Sequence, residues 1–303
     1  MHQTIVITGC SSGFGRDLAR KLAQAGHRVY ATMRATDGKN ASAARALRAF
    51  AEAEALDLRV LDLDVTSTAS AEAAARVVEA ESGAADVVVN NAGQMFGGIT
   101  EAFVADEMAR QLDVNVIGVH RVHRAFLPAM RARGAGLVVV VGSTAGRCAL
   151  PFFGVYHASK WALEGYTQAL RYELAASGVD AVMVEPGPFT TALFPSMTAP
   201  ADADGRAASY PAAVGGAFAA MGADFAAMLA DPATPTDPAL VVDAIAELAA
   251  MEPGTRPFRT VVGMDFGVRA RNADDAPHDA ALLDAFGLTA FATLAVPSVE
   301  AVR

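Results

Sequence analysis

Tyr156 and Lys160 stand four residues apart, one helical turn on a shared face, and Ser143 precedes the tyrosine by thirteen residues. A phenol beside an ammonium and a hydroxyl is a set of groups suited to moving a proton. Free tyrosine titrates near ~10, and lowering that by about three units asks about 4 kcal/mol of the surroundings, which a nearby fixed cation helps to supply. A serine hydroxyl brought alongside from a strand end can hold a carbonyl or hydroxyl oxygen. Together the three suit general acid/base interconversion of C=O and CH–OH. Tyr-x-x-x-Lys alone is a weak signal, because any amphipathic helix carries that spacing by chance. Its weight comes from the elements around it.

Leu137–Val141 is a hydrophobic run that predicts a buried strand (136–142) delivering Ser143 at its carboxyl end, and 156–176 predicts the helix carrying Tyr156 and Lys160. Ligands bind at that end of an open parallel sheet. Thr4–Thr8 predicts a first strand, followed by Gly9-Cys10-Ser11-Ser12-Gly13-Phe14-Gly15 and a helix to about Ala25. Strand, glycine turn and helix form a context for a pyrophosphate cradle, here with GxxxGxG spacing. A second strand, 28–34, ends in Met33 and Arg34, where an acidic residue would receive the ribose 2′-hydroxyl of NAD. A guanidinium there suits a 2′-phosphate, with Ser12 adding a hydroxyl, so NADP is expected over NAD.

Further strands are expected at 58–63, 86–89, 179–185 and 257–262, and helices at 41–55, 67–82, 101–133 (one or two), 238–251 and 277–287. Asp64 closes the third strand, as an adenine acceptor or a helix cap. Asn115 falls inside a helix, where it bends the helix or joins a polar network. Residues 192–236 are rich in Ala, Pro, Asp and Met and show no clear strand; they read as a surface insertion or a lid over the site. Their apolar residues (Leu193, Phe194, Met197, Phe218, Met221, Phe225, Met228) suggest a greasy pocket wall. The last residues are expected to fray.

The chain has 303 residues, 53% of them hydrophobic, with a formal charge of −9. That length suits one large α/β domain, taken as 1–303, with no internal repeat. The negative charge argues against nucleic-acid binding. Cys10 and Cys148 have no partner at metal spacing, so reduced thiols and no metal site are expected. With no leader pattern at the start and no run near the ~20 apolar residues of a membrane span, a soluble cytoplasmic protein is expected.

In this order and spacing, TGCSSGFG (8–15), LDV (63–65), NNAG (90–93), Asn115, Ser143, Tyr156-x-x-x-Lys160 and Pro186-Gly187 with Thr191 resemble the short-chain dehydrogenase/reductase family over about residues 4–191. TGCSSGFG, VYATMR (29–34) and the run 126–130 resemble its branch of type 1 17β-hydroxysteroid dehydrogenase and related retinol dehydrogenases. The resemblance implies a Rossmann-type doubly wound, seven-stranded parallel sheet with helices on both faces. It implies Tyr156 as acid/base, Lys160 lowering its pKa and binding the nicotinamide ribose, Ser143 orienting the substrate oxygen and Asn115 holding a relay water. Gly9, Ser11, Ser12, Gly13, Phe14 and Gly15 would surround the phosphates. Arg34 would meet the 2′-phosphate, Asp64 and Val65 the adenine, and Asn91, Ala92 and Gly93 the adenosine and ribose. Pro186, Gly187 and Thr191 would meet the nicotinamide end. A homodimer or homotetramer is implied as well.

The resulting expectation is an NADP-dependent oxidoreductase for a hydrophobic secondary alcohol or carbonyl. The alternatives are the same chemistry with NAD, a catalytically silent NADP-binding regulator, and a sugar epimerase or dehydratase on a related fold. A silent regulator would be expected to lose the Tyr, Lys or Ser, all of which are present here.

Overall fold

In β1 (Thr4–Ile7), Ile5 and Ile7 pack into one hydrophobic layer and Val6 into the other, so a strand with no polar alternation is buried on both faces. The same division recurs along the sheet in this computed structural model, which describes residues 2–296. The other strands are β2 (Arg28–Met33), β3 (Leu58–Asp62), β4 (Val87–Asn90), β5 (Gly136–Val141), β6 (Val179–Pro186) and β7 (Arg259–Val262). All pair in parallel, in the order β3-β2-β1-β4-β5-β6-β7. The order reverses between β1 and β4, which opens a crevice at their carboxyl ends.

Helices α1 (Gly13–Gln24), α2 (Ala41–Ala53) and α8 (Ala239–Ala250) cover one face through Leu18, Leu22, Leu47, Val241, Ile245 and Leu248. Helices α3 (Thr68–Ser82), α5 (Gly118–Arg133) and α6 (Gly154–Ala175) cover the other through Val78, Val122, Phe126, Met130 and Leu163. Ser67 caps α3, its Oγ accepting from Ser70 N at 3.2 Å. Asp64 is therefore no helix cap; its Oδ1 accepts from Thr66 N at 2.9 Å and folds the turn that follows β3.

The region 101–133 is broken rather than continuous. Helix α4 (Ala105–Leu112) runs into a five-residue π-turn, Asp113–Ile117, and then α5. Asn115 lies in that turn and is buried. A π-turn widens the helix by one residue, and here it turns the Asn115 carboxamide inward, to the Gln94 backbone and Ser159.

Two expectations need correction. The last helix is α9 (Val268–Ala285), nine residues longer at its start than 277–287, with Pro277 inside it. Residues 269–276 carry no apolar stripe, because polar contacts hold this part of the helix: Asn272 Oδ1 accepts from Arg147 Nε at 2.9 Å, and Asp275 pairs with Arg147. Helix α7 (Ala212–Ala230) is, by length and composition, apolar enough to cross a membrane, contrary to the expected absence of such a run. Its hydropathy comes mainly from alanine, with Phe, Met, Val and Leu at intervals and Asp224 as its only charge, instead of an unbroken run of the large aliphatic residues that first mark a span. The final residues, 297–303, lie outside the described residues.

Candidate active site

The strand ends deliver their loops to one cleft, a cavity of about 500 Å³ that runs from the glycine turn to the apolar segment after β6. At one end the walls are mostly backbone. Gly9 has φ +75°, and a Cβ there would lie 2.8 Å from Ala92 Cα. The turn is laced to the loop after β4: Asn91 Nδ2 donates to Thr8 O at 2.9 Å, and Thr8 Oγ1 accepts from Asn91 N and Ala92 N at 3.0 Å each. Ser11, Ser12, Gly13 and Phe14 line the cavity, and Ser12, at the N-terminus of α1, caps none of the helix N–H groups with its side chain. Main-chain donors, a helix N-terminus and a free hydroxyl suit a pyrophosphate, so the residues present fit a dinucleotide cofactor.

Arg34, Asp64, Val65, Ala92, Gly93, Pro186, Gly187 and Thr191 also line this cavity. Gly15 lies beneath it, where a Cβ would fall 2.5 Å from Asn91 Nδ2. Lys39 and Asn40 flank Arg34, and Asn40 Nδ2 donates to Arg34 O at 2.8 Å. Sequence reading missed this pair. Its only signal was a second cation five residues after Arg34.

Ser143, Tyr156 and Lys160 meet midway along the cavity. The Ser143 Oγ donates to Pro186 O at 3.3 Å and accepts from Ala145 N at 3.1 Å, and the hydroxyl lies close enough to the Tyr156 phenol to act on its titration. Lys160 is buried; its Nζ donates to Val141 O at 3.0 Å and lies 5.8 Å from the Tyr156 ring centroid. Burial pushes Tyr156 up to about 12, outweighing the opposing effect of the Ser143 hydroxyl, and pulls Lys160 down to about 8 against the opposing field of Glu164. This corrects the expected lowering of the tyrosine by the lysine. The ammonium is directed at a strand-end carbonyl, and desolvation dominates at the phenol.

Asn115 sits behind the wall. Its Oδ1 accepts from Gln94 N at 2.9 Å, and its Nδ2 donates to Gln94 O at 3.0 Å and Ser159 Oγ at 3.1 Å. The carboxamide thus braces the Gln94 backbone against the catalytic helix. His157, also missed from sequence, accepts from Leu150 N at Nε2 (2.9 Å), which leaves Nδ1 to donate to Ala145 O (2.8 Å). It ties the loop after Ser143 to α6.

At the far end, Met95, Phe153 and Tyr156 pack with Leu193, Phe194, Met197, Met221 and Phe225. The Phe194 and Phe225 ring centroids are 5.7 Å apart. Phe218 instead meets Phe152 at 4.9 Å, and Met228 lies outside this cluster.

The model of the short chain dehydrogenase family matches residues 3–202. The chain belongs to that family. Human 17-beta-hydroxysteroid dehydrogenase type 1 is 46% identical over 201 residues, covering 63% of this chain and 58% of its own. The match thus spans less than two thirds of that relative. A solved short-chain dehydrogenase from Streptomyces avermitilis superimposes with a TM-score of 0.74 at 30% identity, covering 95% of this chain and 98% of its own. A gluconate 5-dehydrogenase from Burkholderia cenocepacia, solved with NADP and tartrate, gives 0.58 at 33% identity, covering 63% of this chain and 73% of its own. The human match supports the hydroxysteroid branch of the short-chain dehydrogenases, and both solved relatives support the doubly wound fold.

Proposed function

We propose that this short-chain dehydrogenase is an NADP-dependent oxidoreductase interconverting a lipophilic secondary alcohol and its ketone, or an aldehyde and its alcohol. One observation carries the reading: Ser143, Tyr156 and the buried Lys160 lie together between a phosphate-fitting turn and an apolar wall, within one cavity.

When bound, a reduced nicotinamide supplies a hydride to the carbonyl carbon and its oxidised form takes one back. Tyr156 gives its phenolic proton to the substrate oxygen in reduction and recovers it from solvent. A tyrosine held protonated is the form that reduction requires. Ser143 orients that oxygen by hydrogen bond. Lys160, fixed to Val141 O by one of its three ammonium donors, would hold the cofactor ribose with the others. Asn115 keeps the Gln94 backbone in place against α6. Arg34, with Lys39 beside it and the Ser12 hydroxyl opposite, would take the 2′-phosphate; NADP on the gluconate 5-dehydrogenase relative supports that choice. Residues 192–236 form the substrate-binding segment, and their phenylalanines and methionines select for apolar bulk. Exposed Val104, Met108, Ile117 and Trp161 on adjoining elements support assembly as a homodimer or homotetramer.

Fluorescence titration with NADPH and NADH tests the cofactor choice. NADPH is expected to bind at least about tenfold more tightly, and Arg34→Asp to reverse the preference. Tighter NADH binding by the native chain would overturn it. A chain that binds neither is no oxidoreductase of this kind.

A further inference from the structure

Behind the reacting groups, two carboxyl side chains are buried against each other. Glu164 lies on α6, one turn after Lys160, and Glu185 lies near the end of β6; they are 4% and 0% exposed. Glu164 is close enough for its charge to act on the Glu185 carboxyl. Glu164 Oε2 accepts from Arg259 Nε at 2.8 Å, and Glu185 Oε2 accepts from Asn272 Nδ2 at 2.6 Å. The remaining oxygen of each, Oε1, is buried without a partner.

The charges facing the pair do not balance two anions. Lys160 on α6 directs its ammonium to Val141 O, and Gln168 is neutral and accepts from Arg259 Nη2 at 3.0 Å. From β7 comes Arg259, which bonds only Glu164 of the two. From α9 come neutral Asn272 and, behind it, Asp275, whose charge is met by Arg147. One cation thus serves two buried carboxyls, each with an orphaned oxygen. Like charges this close in a dry site do not both ionise, and a single proton between the two Oε1 atoms satisfies both at once.

We propose that Glu185 holds a proton donated to Glu164, and that this neutral–anionic pair is a positioning device for Lys160 and Ser143. It rests on the reading of those residues as the reacting set. The linkage to the site is short. Cβ atoms built on Gly142 and Gly146, either side of Ser143, would lie 3.8 and 3.3 Å from Glu164 Oε1. Asn272 carries the pair to Arg147, whose carbonyl also accepts from Arg271 Nη1 at 2.7 Å, so α9 clamps the loop that presents Ser143. Burial, then the charge of Glu164, push Glu185 up to about 8. A group with a raised folded-state pKa contributes stability that is full below its unfolded value and lost as pH rises through its folded one. That loss therefore falls between about 4.5 and about 8, whereas Lys160, lowered to about 8 from 10.5, acts only above that window and with opposite sign.

The experiment is a set of thermal melts of the full chain, wild type, E185Q and E164Q, across pH 5 to 8, with infrared spectra of the first two. A glutamine at 185 still donates to Glu164, whereas one at 164 removes the carboxylate that pairs with Arg259 and leaves it only neutral partners. E185Q is expected to gain at least about 3 °C on the wild type between pH 5 and 8 and to lose the band of a buried protonated carboxyl. E164Q is expected to melt lower throughout. A flat difference between wild type and E185Q, or equal losses in both variants, would overturn the shared proton. The positioning role is read from the pH profile of kcat/KM, whose alkaline limb should move in E185Q; an unmoved limb would reject it. A wild type with no turnover would sink the oxidoreductase reading but leave the melts decisive for the proton.

Discussion

At its phosphate-fitting end the cavity is walled by main chain and small residues: the Gly9–Gly15 turn, the Asn91–Gly93 loop and the N-terminus of α1. At its apolar end the wall is made of side chains from segments far apart in sequence, Met95, Phe153, Phe194 and Phe225 among them. The first kind of wall depends on backbone conformation, which a few contiguous residues determine. The second depends on which side chains the tertiary fold brings together. A motif is therefore possible at the first end and not at the second, where substitutions can retune the substrate without disturbing the cofactor.

The contrast can be tested by mutation. Tyr156→Phe, between the two ends, should lower kcat by about a thousandfold or more while NADPH affinity stays within about twofold; retained turnover in a stopped-flow assay would remove Tyr156 from the reaction. Gly9→Ala acts on the backbone end alone. Its Cβ meets Ala92 at a positive φ, and the strain should weaken NADPH binding by about tenfold or more. Unchanged affinity by calorimetry would mean that the turn does not hold the phosphates. Phe225→Ala acts on the other end and should raise KM for a lipophilic carbonyl by about tenfold, with cofactor affinity unchanged. A matching loss of cofactor affinity would show that the two ends are not independent.

The correspondence between sequence and structure follows the same division. The seven strands and the gathering of Ser143, Tyr156 and Lys160 were legible because β-branched runs and a helical spacing are local signals, whereas the parallel pairing of all seven came from the family resemblance. Asn115 was legible as a buried polar residue, but not its π-turn or its grip on Gln94, since neither has a periodicity of its own. The first half of α9 was missed because polar contacts to Arg147 and Glu185 hold it, without an apolar stripe. The apolar length of α7 was missed because its hydropathy comes mainly from alanine, broken by three glycines and Asp224, without a run of large aliphatic residues.

By itself the sequence determined the sheet, the glycine turn and the types of groups at the strand ends, because steric and hydrophobic preferences act over a few neighbouring residues. Only the tertiary structure decided where the charges sit. Lys160 turns to Val141 O, Tyr156 is pushed up instead of down, and Glu164 meets Glu185 from 21 residues away. A pKa and a hydrogen bond depend on burial and on partners brought in by other elements, and no stretch of chain carries those alone.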